Sequence, residues 1–279
     1  MSPTNAITIE TPIRAAFTKA KQENRAAFIP YVMLGYPDAS TSIALAQAIA
    51  AAGADILELG VPFSDPLADG ATIQHASQLS LEQGTTLKQC CEMAKIIAAT
   101  TTIPLIFMGY YNPFLRMGLS TACQTAAASG VSGLIIPDVP AEEAPVLTAA
   151  AAPHGIQPIF LVTPTSPERR IASVAAAAQT ARSGFVYVVS LSGVTGARSQ
   201  VATDLPTMLT RVRQYTGDLP LGVGFGISTP AQAKEVAQLA DGVVVASALI
   251  NAFDSAPDGE KIPTAVALAQ SLRAAVQRG

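Results

Sequence analysis

The chain is sparing with charge, yet three of its acids crowd into one short stretch. Asp, Glu, Lys and Arg make up 13% of the 279 residues. The stretch ELGVPFSDPLADG, residues 58–70, nevertheless contains Glu58, Asp65 and Asp69. Glu58 closes an apolar run, ADILELGV. A carboxylate buried in such a run is costly unless it is paired, neutralised or used. Strand side chains alternate, so Ile56 and Glu58 share one face while Leu57 and Leu59 share the other. If the leucines pack outward, Glu58 points inward. Burial there raises its pKa toward neutrality and suits it to give and take a proton. No Arg or Lys stands near it in the sequence. The competing reading is a strand-end Glu held in a salt bridge. Asp69, in LADG, reads either as a second acid or as a turn or N-cap aspartate. Asp65, before a proline, reads as a turn former, and Asp138, in IPDVP, as the anchor of a strand-end loop.

Other residues suggest ligand contacts. GVGFGIS, residues 222–228, offers bare backbone, and ASALI, residues 246–250, offers N–H groups and Ser247 at a helix start. A phosphate fits such a pair of strand ends. The glycines do not follow the dinucleotide spacing and no Walker lysine is present, so nucleotide binding is unsupported. The long, small-residue stretch SLSGVTGARSQ, residues 190–200, reads as either a lid or a surface loop. Thr195 within it supplies a hydroxyl. His75 and His154 are the only histidines, which excludes a multi-histidine metal site and disfavours a histidine-based triad. Cys90, Cys91 and Cys123 suggest neither a disulfide framework nor a zinc site.

These residues need elements to position them. Eight apolar runs occupy residues 26–35, 54–61, 103–110, 133–139, 157–163, 184–192, 220–226 and 241–249. They are nearly continuous, as strands of a parallel sheet are when both faces are buried. Helical stretches separate them. Ser166-Pro167-Glu168 and Ser228-Thr229-Pro230 read as N-caps followed by a first-turn proline. Gly53, Gly130 and Gly155 read as stops. Eight alternating units predict an α/β chain closed into a (β/α)₈ barrel, with an open doubly wound sheet as the alternative. An extra helix precedes the first strand (residues 11–22) and another follows the second (residues 71–84). No linker-like composition divides residues 1–279, so they read as a single domain. Net charge is −3 with no basic cluster, which argues against nucleic acid. The absence of a basic-then-apolar leader and of a long apolar run predicts a cytoplasmic protein.

Seven blocks in order are similar to those of the tryptophan synthase alpha chain family: FIPYVMLGYPD, ELGVPFSDPLADG, GYYNPF, IIPDVP, YVVSLSGVTGAR, GVGFGIS and DGVVVASALI. The resemblance covers nearly the whole chain, both extra helices included. It implies a TIM barrel that cleaves indole-3-glycerol phosphate to indole and glyceraldehyde 3-phosphate, a retro-aldol reaction without metal or organic cofactor. By motif position, Glu58 would be the acid/base at indole C3 and the glycerol hydroxyl, and Asp69 would accept the indole N–H proton. Tyr187 would lie near the reacting centre and Thr195 in a mobile loop. Phosphate would rest on Gly196, Gly226, Ala246 and Ser247. Asp138 and Pro140 would face a partner, a pyridoxal-phosphate-dependent beta chain, in a tetramer of two alpha and two beta chains. A free-standing lyase and a non-catalytic phosphate-binding subunit are the alternatives. Leu191 replaces a basic residue found in some members, and Ala246 stands where Gly is frequent.

Overall fold

The structure, a computed structural model, describes residues 10–189, 198–224 and 226–278. Nine parallel strands are present: β1 (Ala27–Met33), β2 (Leu57–Gly60), β3 (Leu105–Met108), β4 (Val131–Ile135), β5 (Gln157–Ile159), β6 (Leu161–Val162), β7 (Val186–Val189), β8 (Leu221–Gly224) and β9 (Gly242–Val245). Their lateral order is β5-β4-β3-β2-β1-β9-β8-β7-β6. The two ends of that order, β5 and β6, are separated only by Phe160. β5 pairs with β4, and β6 pairs with β7. They are two halves of one barrel strand, staggered between its neighbours, and the sheet closes through them. The eight expected strands are therefore present, each shorter than its apolar run.

Closure divides the apolar residues into two sets. Leu57, Leu59, Phe107, Leu134, Val186, Val188, Val223 and Val243 face outward and share a core with the helices. Ala27, Ile29, Ile56, Ile106, Ile135, Ile159, Phe185 and Val244 fill the barrel. They do so together with Ile13, Phe17 and Ala20 of the leading helix, Pro12–Gln22. That helix plugs the N-terminal end of the barrel. Close packing demands glycine beneath it: a Cβ on Gly184 would lie 2.2 Å from Ile13 Cγ2. At the same end, Asp55 accepts both terminal N–H groups of the Arg25 guanidinium (2.5 and 2.8 Å) and the Phe28 N–H (2.8 Å). This tie joins the start of β1 to the chain entering β2.

Helix punctuation agrees with the sequence in part. Thr229 caps Pro230–Leu239 in a full capping box. Ser166 does not cap Glu168–Thr180. Pro167 takes the cap position, because the Ser166 hydroxyl instead accepts the Thr163 N–H at 3.0 Å. Two helices lack local start signals, Tyr111–Met117 and Lys261–Ala275. Neither has a side-chain cap from its own N-cap residue. The Tyr111 N–H is met by Asp138 at 2.9 Å from a distant loop, a signal invisible locally. Asp138 thus anchors the loop after β4 to the helix after β3. No helix among the described residues is long and apolar enough to cross a membrane.

Candidate active site

The barrel filling changes character one step toward the C-terminal ends of the strands. Moving two residues along each strand keeps the side chain on the same face. Ile29 is succeeded by Tyr31, Ile56 by Glu58, Ile106 by Met108, Ile159 by Leu161 and Phe185 by Tyr187. An all-apolar layer is thus overlaid by a mixed one, at the end where barrels of this kind carry their chemistry.

Glu58 is 3% exposed. Its Oε2 has no hydrogen-bond partner among the described residues. No salt bridge holds Glu58 among the described residues. Burial, and after it the neighbouring Asp69 charge, pushes the carboxyl up to about 8. Asp69 is not an N-cap. Gly70 holds that position for the helix Ala71–Glu82, which starts without a side-chain cap bond. Burial raises the Asp69 carboxyl to about 6, while hydrogen bonding with the Tyr110 hydroxyl pulls the other way.

The loop that delivers Asp69 is tied on two sides. The Tyr110 hydroxyl, just past β3, accepts the Ala68 N–H at 2.9 Å, and the Tyr110 ring stacks on Phe63 with centroids 5.1 Å apart. Ser77 Oγ bridges the Phe63 N–H and C=O (2.9 and 3.0 Å). Gln74 donates to the Asp69 carbonyl at 2.9 Å. Asp65 stays exposed in the turn and accepts the Ser64 hydroxyl, as expected of a turn former. Asp38 is spent on capping the helix Ala39–Ala51, where three hydroxyl and amide bonds hold its carboxyl at about 2.

Tyr187 reaches across from β7. Its hydroxyl lies over Gly224, where an added Cβ would come within 2.5 Å of it. Burial and the charges of Glu58 and Asp69 hold the phenol well above its ordinary pKa, so it is a neutral donor at physiological pH. Gly226 has φ +62° with open space on its Cβ side, a left-handed position suited to glycine. Ala246 precedes the helix Ser247–Ser255, which begins with no side-chain cap bond. Its φ of −120° does not call for glycine, so the alanine is accommodated. Thr195, Gly196 and Leu191 lie outside the described residues. Sequence reasoning passed over Tyr31, although it shares the phase of Ile29 and pairs directly with Glu58 in the sheet. The Tyr110 clamp on the Asp69 loop joins distant segments and leaves no local signal in the sequence.

A closed parallel barrel with its polar side chains gathered at the C-terminal mouth defines an enzyme of the TIM-barrel class. The family model described as "Tryptophan synthase alpha chain" matches residues 17–277. A tryptophan synthase alpha chain of Chloroflexus aggregans is 47% identical over 267 residues, covering 95% of this chain and 98% of the relative. One from Roseiflexus sp. is 49% identical, covering 94% and 98%. Among solved structures, a chain of Mycobacterium tuberculosis tryptophan synthase superposes with a TM-score of 0.87 at 39% identity, covering 96% of this chain and 99% of that one. The protein belongs to the tryptophan synthase alpha chain family.

Proposed function

We propose that this chain cleaves indole-3-glycerol phosphate to indole and glyceraldehyde 3-phosphate, with Glu58 and Asp69 moving the protons. One observation carries the assignment of roles: Glu58 is buried and its Oε2 has no hydrogen-bond partner among the described residues, and burial raises its carboxyl further than that of the neighbouring Asp69. Near neutral pH the pair holds one proton, on Glu58, and one negative charge, on Asp69.

The chemistry then balances. Glu58 gives its proton to indole C3 while Asp69 takes the proton from the ring nitrogen, which yields the neutral 3H-indole tautomer. Glu58, now a carboxylate, removes the proton of the glycerol hydroxyl next to the ring. The C–C bond breaks, its electron pair moves into the ring as the C=N bond shifts, and the aldehyde forms. Asp69 returns its proton to nitrogen and indole is released. Only protons move between the protein and the substrate. The Tyr187 phenol faces the same space as a hydrogen-bond donor. Gly226, Ala246 and Ser247 hold the phosphate, which anchors the far end of the substrate and fixes the ring over the acids. Thr195 and Gly196 are assigned to the same substrate by motif position.

The indole passes to a pyridoxal-phosphate-dependent tryptophan synthase beta chain, bound through the loops that carry Leu67 and residues 138–140. Leu67 is 92% exposed, which suits a partner contact rather than a core one. Residues 1–279 act as one domain, in the cytoplasm. The test is indole release from indole-3-glycerol phosphate by the purified chain, with and without the beta chain. Cleavage that persists unchanged in Glu58→Gln would overturn the mechanism. Separate elution of the two chains, with no change in rate on mixing, would overturn the partnership.

A further inference from the structure

Tyr31 is the one polar member of the mixed layer with no task so far. It is 2% exposed. Its hydroxyl bonds only the Met33 sulfur among the described residues, at 3.8 Å, and a thioether is a weak acceptor. A buried hydroxyl so poorly matched is unusual and calls for an explanation. Its location is tightly specified. Tyr31 pairs laterally with Glu58, and its ring runs up over Gly60, two residues further along the same face. A Cβ on Gly60 would meet the phenol oxygen at 2.0 Å, so glycine there is the condition for the phenol to lie at the barrel mouth. Four titratable groups act on it, in the order Asp69, Glu58, Tyr110 and Tyr187. They come from the loop after β2, from β2, from beyond β3 and from β7. Tyr110 and Tyr187 are phenols held neutral, which leaves the two carboxylates as the strong acceptors within its field.

We infer that Tyr31 is a positioning residue for the acid pair: its neutral phenol donates to the Asp69 carboxylate when substrate occupies the mouth, and so keeps Asp69 the base while Glu58 keeps the proton. The inference rests on the acid–base reading of Glu58 and Asp69. A hydrogen bond to the charged form favours that form. Tyr31 and Tyr110 would then approach Asp69 as two donors from different strands, against burial that alone drives the carboxyl toward neutrality.

Tyr31→Phe removes one oxygen whose only partner among the described residues is a sulfur, so the fold is expected to persist. Without that donor, the pKa of Asp69 rises. The acid limb of kcat/KM for indole-3-glycerol phosphate is expected to move up by about one pH unit, which lowers the rate about tenfold below pH 6 and far less near pH 8. The second measurement needs no turnover: the carboxyl carbon of Asp69, followed by NMR in the full chain with indolepropanol phosphate bound, should titrate higher in Tyr31→Phe than in the wild type. Superimposable pH profiles, or a loss of rate equal at every pH, would show that Tyr31 is packing alone. Those outcomes with an inactive Glu58→Gln would sink only this inference. An active Glu58→Gln would sink the reading beneath it.

Discussion

Asp55 and Glu58 lie on the same short stretch of chain and have opposite surroundings. Asp55, at the plugged end of the barrel, takes both guanidinium arms of Arg25 and a backbone N–H. Glu58, at the open end, is just as buried and has an oxygen without a partner among the described residues. Both carboxylates are removed from water, so both owe a desolvation cost. At Asp55 the cost is offset by an ion pair, and the group serves as a strut. At Glu58 it is left standing, the proton affinity rises, and the group can exchange a proton near neutral pH. Burial alone does not mark a catalytic acid; burial without compensation does.

The sharpest way to break the contrast is to neutralise each acid in turn. Glu58→Gln removes the group that serves as acid and then as base, so kcat should fall about 10⁴-fold, the upper end for general acid–base loss. Stability should move the other way. With a folded pKa of about 8 against the ordinary 4.5, the native state holds the extra proton between those values. The stability attached to it is fully present below about pH 4.5 and is lost as pH rises through 8. The amide variant should therefore match the wild type near pH 4.5 in urea melts and exceed it at pH 8 by a few kcal/mol. A variant less stable at pH 8 would mean that Glu58 has a partner after all.

Asp55→Ala should do the reverse. It strands the buried Arg25 charge, which costs about 3–5 kcal/mol. Glu23 also contacts Arg25, at 2.6 Å, and places the effect nearer the lower figure. Turnover per folded molecule should hold, since the tie lies at the far end of the barrel. Equal urea midpoints for Asp55→Ala and the wild type would remove the strut from the comparison.

The difference between the two acids proposed to be catalytic is tested by pH. Activity needs Asp69 ionised, with its carboxyl at about 6, and Glu58 protonated, at about 8. The profile of kcat/KM should be a bell centred near pH 7, its limbs belonging to the coupled pair. Asp69→Asn should lose about 10²-fold, less than Glu58→Gln because it removes one proton acceptor rather than a group used twice, and its acid limb should flatten. A single rising limb in the wild type would contradict the assignment of Glu58 as the acid.

Much of this was legible in the sequence, because parallel strands buried on both faces leave long apolar runs. The alternation Ile56-Leu57-Glu58-Leu59 carried the direction of the key side chain. What stayed hidden were contacts between distant segments. Nothing near Arg25 announces Asp55, and nothing near Tyr111 announces Asp138. Tyr31 looked like one more apolar strand residue because its significance lies in the lateral register that sets it beside Glu58. Asp69 was ambiguous for a different reason: whether an aspartate caps a helix or stands free depends on one residue of offset, and here Gly70 takes the cap.

The smallest effect concerns Ala246, where the resemblance drawn from the sequence leads one to expect glycine. If the backbone at this point needed glycine to approach phosphate, Ala246→Gly would lower KM for the substrate. The observed φ of −120° is not the left-handed conformation that favours glycine. What glycine should change is the helix start. Ala is among the poorer N-cap residues and Gly ranks above it, so Ala246→Gly should stabilise the chain by at most about 1 kcal/mol, against the greater freedom it gives the unfolded state. Thermal melts and steady-state kinetics on one preparation separate the two. A slightly raised midpoint with an unchanged KM fits a phosphate held by the N–H groups of the helix rather than by closeness to a bare α-carbon. A clear drop in KM would show that the Ala246 methyl stands between the backbone and the ligand.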